Sequence, residues 1–257
     1  MRVFNVELLV YGSVLIKRAI DFSTEKELDL GNIFQSDISI RPSKQGFLIS
    51  TTVFTADQDR AYKVALLFVG KMLDILAMRT NSPLNVSLNE YRQIEGGNNI
   101  RAVIDRAEFI YCFRIARDLN LNENRLLRAF SWYRKGLYTE DPFDKFLALW
   151  NAISVVADGY CNDNERTRQG IINKIWDCFI TLWGECVDWQ FIDGDERWIN
   201  DNNDIRNKIA HGGITVDVQY VENVISKLPI VQNVAYKFLS QWSERLGNNI
   251  LIDLNAV

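Results

Sequence analysis

The chain has 257 residues, 47% of them hydrophobic and 12% aromatic, which is enough apolar surface for a full core and excludes a disordered tract. Its net charge of −4 excludes a broad surface that coats nucleic acid, but leaves room for a small local phosphate site. The longest apolar run, Val64 to Val69, is cut by Gly70-Lys71 and falls far short of a membrane span.

The start, Met1 to Glu7, lacks the long apolar core of a signal peptide. Cys112, Cys161, Cys178 and Cys186 have no paired spacing, and a single histidine cannot complete a zinc set with them. The expectation is a cytoplasmic protein with reduced thiols, no metal, no cofactor and no membrane partner.

Arg2 to about Gly12 crowds β-branched and aromatic residues together and predicts a strand. Asp37 to Ile40 and Gly46 to Phe54 predict two more, separated by the turn Pro42-Ser43-Lys44-Gln45. Thr55-Ala56-Asp57-Gln58 has the form of a capping box with Thr55 at the cap. It opens a helix to about Arg79, with Ala61, Val64, Ala65, Phe68, Met72, Ile75 and Leu76 at helical spacing. Asn81-Ser82-Pro83 stops that helix, and Leu84 to Leu88 can return as a strand. Residues 1–95 therefore read as a small α/β domain, of a role the sequence does not specify.

Glu95-Gly96-Gly97-Asn98-Asn99 is the expected linker, because its glycines and asparagines favour turns. Beyond it, residues 100–257 read as helical. Ile100 to Asp118 and Glu123 to Tyr138 are two expected helices. Asp141-Pro142 has the form of a cap with Pro in the first turn, leading a helix from about Phe143 to Gly159. Thr167 to Val187 is apolar and Trp-rich, and Asp193-Gly194-Asp195 interrupts before a short helix. Val216 to about Leu246 predicts a last long helix, kinked or broken near Pro229. The fold class expected is α+β: a small N-terminal α/β unit followed by an all-α bundle.

The short helix holds the most chemistry, in Asn203-Asp204-Ile205-Arg206-Asn207-Lys208-Ile209-Ala210-His211-Gly212-Gly213. His211 is the only histidine, and imidazole exchanges protons near neutral pH. Arg206 is a permanent cation whose planar fork suits phosphate. Asn207 lies one turn before His211 on the same face, whereas Arg206 is about 140° around and reaches alongside only through its long stem. Gly212-Gly213 is a helix stop, which places the imidazole on the last turn. The structural alternative is an Arg that caps carbonyls and a His that sits favourably at a helix C-terminus.

Three blocks carry a resemblance: Ser131-Trp132-Tyr133-Arg134-Lys135-Gly136-Leu137, Asp141-Pro142-Phe143-Asp144-Lys145-Phe146-Leu147-Ala148-Leu149-Trp150, and Arg206-Asn207-Lys208-Ile209-Ala210-His211-Gly212. In that order they resemble the Apea-like branch of the HEPN superfamily, over roughly residues 100–246. The resemblance implies a HEPN-like helical bundle that dimerises. Many such domains are metal-independent ribonucleases of toxin–antitoxin and antiphage systems, with an Arg followed a few residues later by His. Relatives often carry a glutamate a few residues after the tryptophan that matches Trp150. Ser154 stands at that place here, and Asp158, one turn further on, is the candidate supporting acid.

The resemblance thus implies a metal-independent RNA endonuclease that cleaves by 2′-hydroxyl attack, with Arg206, His211 and Asn207 as catalytic candidates and Lys208 with Arg206 as RNA contacts. RNA, a second copy of the chain, and an antitoxin or phage-derived trigger are the partners implied. The rival reading is a non-catalytic HEPN-like scaffold that binds RNA, nucleotide or a partner protein. Trp150, Trp176, Trp183 and Trp189 could stack bases, but their helical spacing points to core packing. Asp193, Asp195 and Glu196 read as a solvated acidic loop rather than a metal site. No phosphate-binding Gly-rich loop, Gly-x-Ser-x-Gly elbow or dinucleotide fingerprint is present.

Overall fold

The computed structural model of the protein describes residues 2–29, 32–87, 102–212, 218–248 and 250. The chain divides into two compact units, Met1–Leu121 and Asn122–Val257. The expected linker Glu95–Asn99 lies outside the described residues.

The first unit is built on an antiparallel sheet. Its strands are β1 (Arg2–Gly12), β3 (Ile20–Asp29), β4 (Asn32–Ser43), β5 (Gly46–Thr55) and β6 (Leu84–Ser87), in the spatial order β3-β4-β5-β1-β6. A two-residue strand, β2 (Val14–Leu15), pairs in parallel with β7 (Ala102–Val103). The alternation of β5 is regular: Phe47, Ile49, Thr51, Val53 and Thr55 are buried and the residues between them are less so. Val6, Leu8 and Val10 of β1 and Ile38 and Ile40 of β4 are buried with them. A buried polar pair interrupts this apolar layer, where Ser36 Oγ and Thr51 Oγ1 meet at 2.8 Å and Ser36 also donates to the Thr52 carbonyl at 2.9 Å. Strand β3 has no counterpart in the sequence reading. Its run Ser23-Thr24-Glu25-Lys26-Glu27 is polar, and it is a strand because it pairs with β4 from Ile20↔Ile40 to Glu27↔Ile33.

Helix α1 (Gln58–Thr80) starts at Asp57, not Thr55. Thr55 is the buried last residue of β5, paired with Arg2, whereas Asp57 accepts the Arg60 N–H at 2.8 Å. Asn81 ends the helix in the left-handed conformation, at φ 45°. Helix α2 (Arg106–Asn122) corrects the expectation that the segment from Ile100 to Asp118 belongs to the helical half. Its aromatic face packs within the first unit. Phe109 lies 5.2 Å from Phe47 of β5, and Phe113 lies 4.9 Å from Phe68 of α1 and 6.0 Å from Phe22 of β3. Arg79 of α1 pairs with Glu108 of α2 through both guanidinium Nε and Nη2, and lies 4.1 Å over the Tyr111 ring. These contacts draw the unit boundary to Leu121, well past the glycine–asparagine stretch.

The second unit is helical: α3 (Asn124–Tyr138), α4 (Pro142–Tyr160), α5 (Ile171–Trp183), α6 (Trp198–His211) and α7 (Val218–Arg245). Between α4 and α6 the chain also makes single 3₁₀ turns at Thr167–Gln169, Cys186–Asp188 and Gln190–Ile192, so residues 167–187 are not one helix. Asp141 caps α4, accepting the Phe143 and Asp144 N–H groups at 2.9 Å each, with Pro142 in the first turn as expected. Helix α4 is the centre of the unit, packed on by α3, α5, α6 and α7. Its contact with α3 is close: a Cβ on Gly136 would lie 2.7 Å from Leu149 Cδ2. Phe179 of α5 sits in an aromatic cluster, 4.6 Å from Trp183, 5.0 Å from Phe238 of α7 and 5.4 Å from Trp189. Trp150 and Trp189 are fully buried, so these two rings serve the core. Of the two outcomes expected at Pro229, a kink or a break, the break does not occur: α7 continues through the proline. No helix among the described residues is long and apolar enough to cross a membrane.

Replacing Asp141 by Ala leaves two first-turn N–H groups of α4 without their acceptor and should lower stability by roughly 0.5–2 kcal/mol. Asp141→Asn should lose much less. Urea midpoints of the two variants check this, with unchanged slopes expected.

Candidate active site

Helix α6 is buried at its start and mostly exposed at its end. Trp198 is buried 5.6 Å from Trp150 and 6.3 Å from Phe179, and Ile199 and Ile205 are buried on the same helix. Asp195 Oδ1 accepts the Arg197 N–H at 2.9 Å, and Trp198 N–H reaches the Asp195 carbonyl at 3.1 Å. Asp195 is thus a helix-start residue. Asn202 and Asn203 are also buried; Asn202 Nδ2 donates to the Trp198 carbonyl at 2.7 Å.

Exposure rises over the last two turns. Arg206 and Asn207 are half-buried, whereas Lys208 and His211 are exposed. Arg206 Nη1 donates to Asn207 Oδ1 at 2.9 Å. Asn207 shares its face with His211, one turn away, so the guanidinium is bonded to a residue of the face that carries the imidazole. Among the described residues Arg206 makes no ion pair and His211 no hydrogen bond, and His211 is exposed. Gly212 ends the helix at φ 63°, with its N–H directed to the Ile209 carbonyl at 3.4 Å. Gly213 lies outside the described residues.

The supporting-acid position is arranged differently. Ser154 Oγ donates back to the Trp150 carbonyl at 2.9 Å and so satisfies itself within α4. Asp158 is exposed and paired with Lys174 of α5 and with Arg125 of α3, the latter at 3.5 Å. Its hydrogen bond holds the Lys174 ammonium above the usual lysine range. Ser154 and Asp158 both line a cleft that Arg206 and His211 do not line. The structure therefore places Arg206, Asn207, Lys208 and His211 on the last two turns of α6, with Arg206 bonded to Asn207, and pairs Asp158 with Arg125 and Lys174.

The thiols offer no competing nucleophile. Burial pushes Cys112, Cys161, Cys178 and Cys186 all above the ordinary thiol range, so each is a neutral thiol at pH 7. Cys178 Sγ points to the Ala157 carbonyl at 3.9 Å. No group of three or more metal-ligating side chains occurs among the described residues. Comparison with protein-family models, curated proteins and solved structures finds no match to this chain.

Two outcomes follow from this geometry. Among the described residues nothing lies within 4 Å of a Cβ built on Gly212, so its positive φ is what resists a side chain. Gly212→Ala should cost roughly 1–2 kcal/mol and loosen the turn that carries His211, with Gly212→Asn intermediate, as measured by thermal unfolding. At pH 7 iodoacetamide should alkylate the native protein slowly and at half-exposed Cys161 first. The rate should climb as pH rises towards the elevated thiol pKa, and Cys112 and Cys178 should react only after unfolding, as read by peptide mass spectrometry.

Proposed function

We propose that the helical unit is a HEPN-type, metal-independent RNA endonuclease that acts as a homodimer. The observation that carries this reading is the Arg206–Asn207 hydrogen bond, which ties a permanent cation to a residue one helical turn before an exposed imidazole. The three sequence blocks that resemble the Apea-like branch support it. In the reaction, His211 takes the proton of a ribose 2′-hydroxyl as that oxygen attacks the adjacent phosphorus. The bond from phosphorus to the 5′-oxygen breaks, and the leaving oxygen takes a proton from the imidazolium of the second copy. Products are a 2′,3′-cyclic phosphate and a 5′-hydroxyl. Arg206 holds the non-bridging oxygens and stabilises the charge that builds there, Asn207 keeps the guanidinium in place, and Lys208 contacts neighbouring phosphate. A two-fold axis would double a sparse set of groups. In a cell this activity suits a toxin or antiphage effector restrained by an antitoxin or released by a phage-derived trigger.

One observation favours a second reading. Asp158, the only acid near the position relatives fill, is paired with Arg125 and Lys174 instead of with Arg206. A site with no acid behind its Arg fits a scaffold that binds RNA, nucleotide or a partner protein without cutting.

Purified protein incubated with total cellular RNA separates the two. Under the nuclease reading, His211→Ala and Arg206→Ala each slow cleavage by roughly 10²–10⁴-fold with helicity intact. Arg206→Lys does not restore the rate, because a point charge lacks the two-pronged fork. Chelator leaves the rate unchanged, and a substrate with 2′-deoxyribose at the cut position survives. Cleavage by the doubly substituted protein at the wild-type rate would overturn the assignment, and RNA bound but never cut establishes the scaffold.

A further inference from the structure

The second unit carries another concentration of chemistry, away from α6. The chain as a whole is acidic, yet α3 holds Arg125, Arg128, Arg134 and Lys135 and no Asp or Glu. Arg125, Arg128, Trp132 and Lys135 fall at spacings of three, four and three residues, which places them along one face over about 15 Å. The three cations of this stripe are exposed. Arg128 lies 5.1 Å and Lys135 5.2 Å from the centre of the half-buried Trp132 ring.

This stripe opens into a cleft of about 390 Å³, the one lined by Arg125, Trp132, Asn151, Ser154, Asp158 and Ile171, together with Val155. Its single carboxylate, Asp158, is neutralised by Arg125 and by Lys174 from α5. Glu123, at the start of α3, is engaged by the Tyr160 hydroxyl at 2.6 Å. The surface is therefore a net cationic track around an indole, with amide and hydroxyl groups from α4 beneath it. A cationic groove with interleaved aromatic rings is the combination that holds single-stranded nucleic acid without sequence preference. Both cations beside Trp132 sit on flexible stems. When a base takes a face of the indole, the displaced Arg128 or Lys135 can follow the phosphate that accompanies it.

We infer that the α3 stripe and its cleft form a binding track for single-stranded RNA, with Trp132 stacking a base and Arg125, Arg128 and Lys135 contacting phosphates. The choice of RNA over DNA as the natural strand rests on the reading of Arg206 and His211 above; the strand-binding chemistry does not.

The test uses the whole protein and a fluorescein-labelled 2′-deoxyoligonucleotide, which presents the same bases and phosphates but no attacking hydroxyl. Fluorescence anisotropy should show saturable binding that weakens as salt rises. The double variant Arg128→Gln/Lys135→Gln should bind about tenfold more weakly. Its log–log salt slope should flatten by about 1.4, or roughly 0.7 for each lost phosphate contact. Both residues are exposed, so the fold should be unaffected. Trp132→Leu should weaken binding by roughly tenfold without changing the salt slope, and circular dichroism reads whether its helices persist. Duplex RNA and a free mononucleotide should compete poorly. Unchanged affinity and slope in the double variant would overturn the track, and so would competition by duplex equal to that by a single strand. If the variants lose binding while wild type never cuts RNA, the track stands and the nuclease reading falls. If they bind as wild type while wild type cuts RNA, the nuclease stands and the track falls.

Discussion

Helix α4 is buried over most of its surface, and the second unit is arranged to cover it. Of its nineteen residues only Asp144 and Asp158 are exposed. A helix apolar around most of its circumference is stable in water only when neighbours surround it, so α3, α5, α6 and α7 must all approach. Trp150, on the side that meets α6, takes Trp198 against it. That contact fixes the first turn of α6, and rigid helical geometry carries the placement forward to Arg206, Asn207 and His211. The candidate site is therefore positioned from its buried end while its chemistry stays at the wet end.

Charge is distributed by the same logic. A net charge of −4 gives no reason to expect affinity for phosphate, yet the average conceals two local excesses of cations. On α6, Arg206, Lys208 and His211 gather in the last two turns, where a helix C-terminus favours positive charge. On α3 the acids are missing altogether. Asp158 is committed to Arg125 and Lys174 at the rim of the α3 cleft.

Much of this was legible wherever the deciding interactions are local. Asp141-Pro142 announces α4 because the cap and the proline act within one turn, and Gly212 ends α6 because its φ needs no distant partner. The failures are non-local. Strand β3 reads as a polar stretch because its evidence lies in β4. Thr55 has the right chemistry for a cap but is held by its pairing with Arg2, so the role passes to Asp57. Helix α2 follows a turn-rich stretch and reads as the opening of the helical half, but Phe109 and Phe113 find their partners in the sheet unit. At the site, spacing predicts that Asn207 and His211 share a face. That Arg206 turns towards Asn207, and that Asp158 turns to Arg125, depends on side-chain partners which spacing does not specify. The charge bias of α3 was in plain view, but its meaning depends on the cleft beside it.

The placement of tryptophan has a spectroscopic consequence. All seven, Trp132, Trp150, Trp176, Trp183, Trp189, Trp198 and Trp242, belong to the Asn122–Val257 unit, and the sheet unit has none. Indole emission is thus a built-in reporter for one half of the molecule and silent on the other. Trp150 and Trp189 are buried and half-buried Trp132 is ringed by cations, so loss of core packing and occupancy of the α3 cleft would perturb different members of the set. Far-ultraviolet dichroism sees both halves. A mismatch between the two signals during denaturation would mean that the halves melt independently, and coincidence would mean that they melt as one.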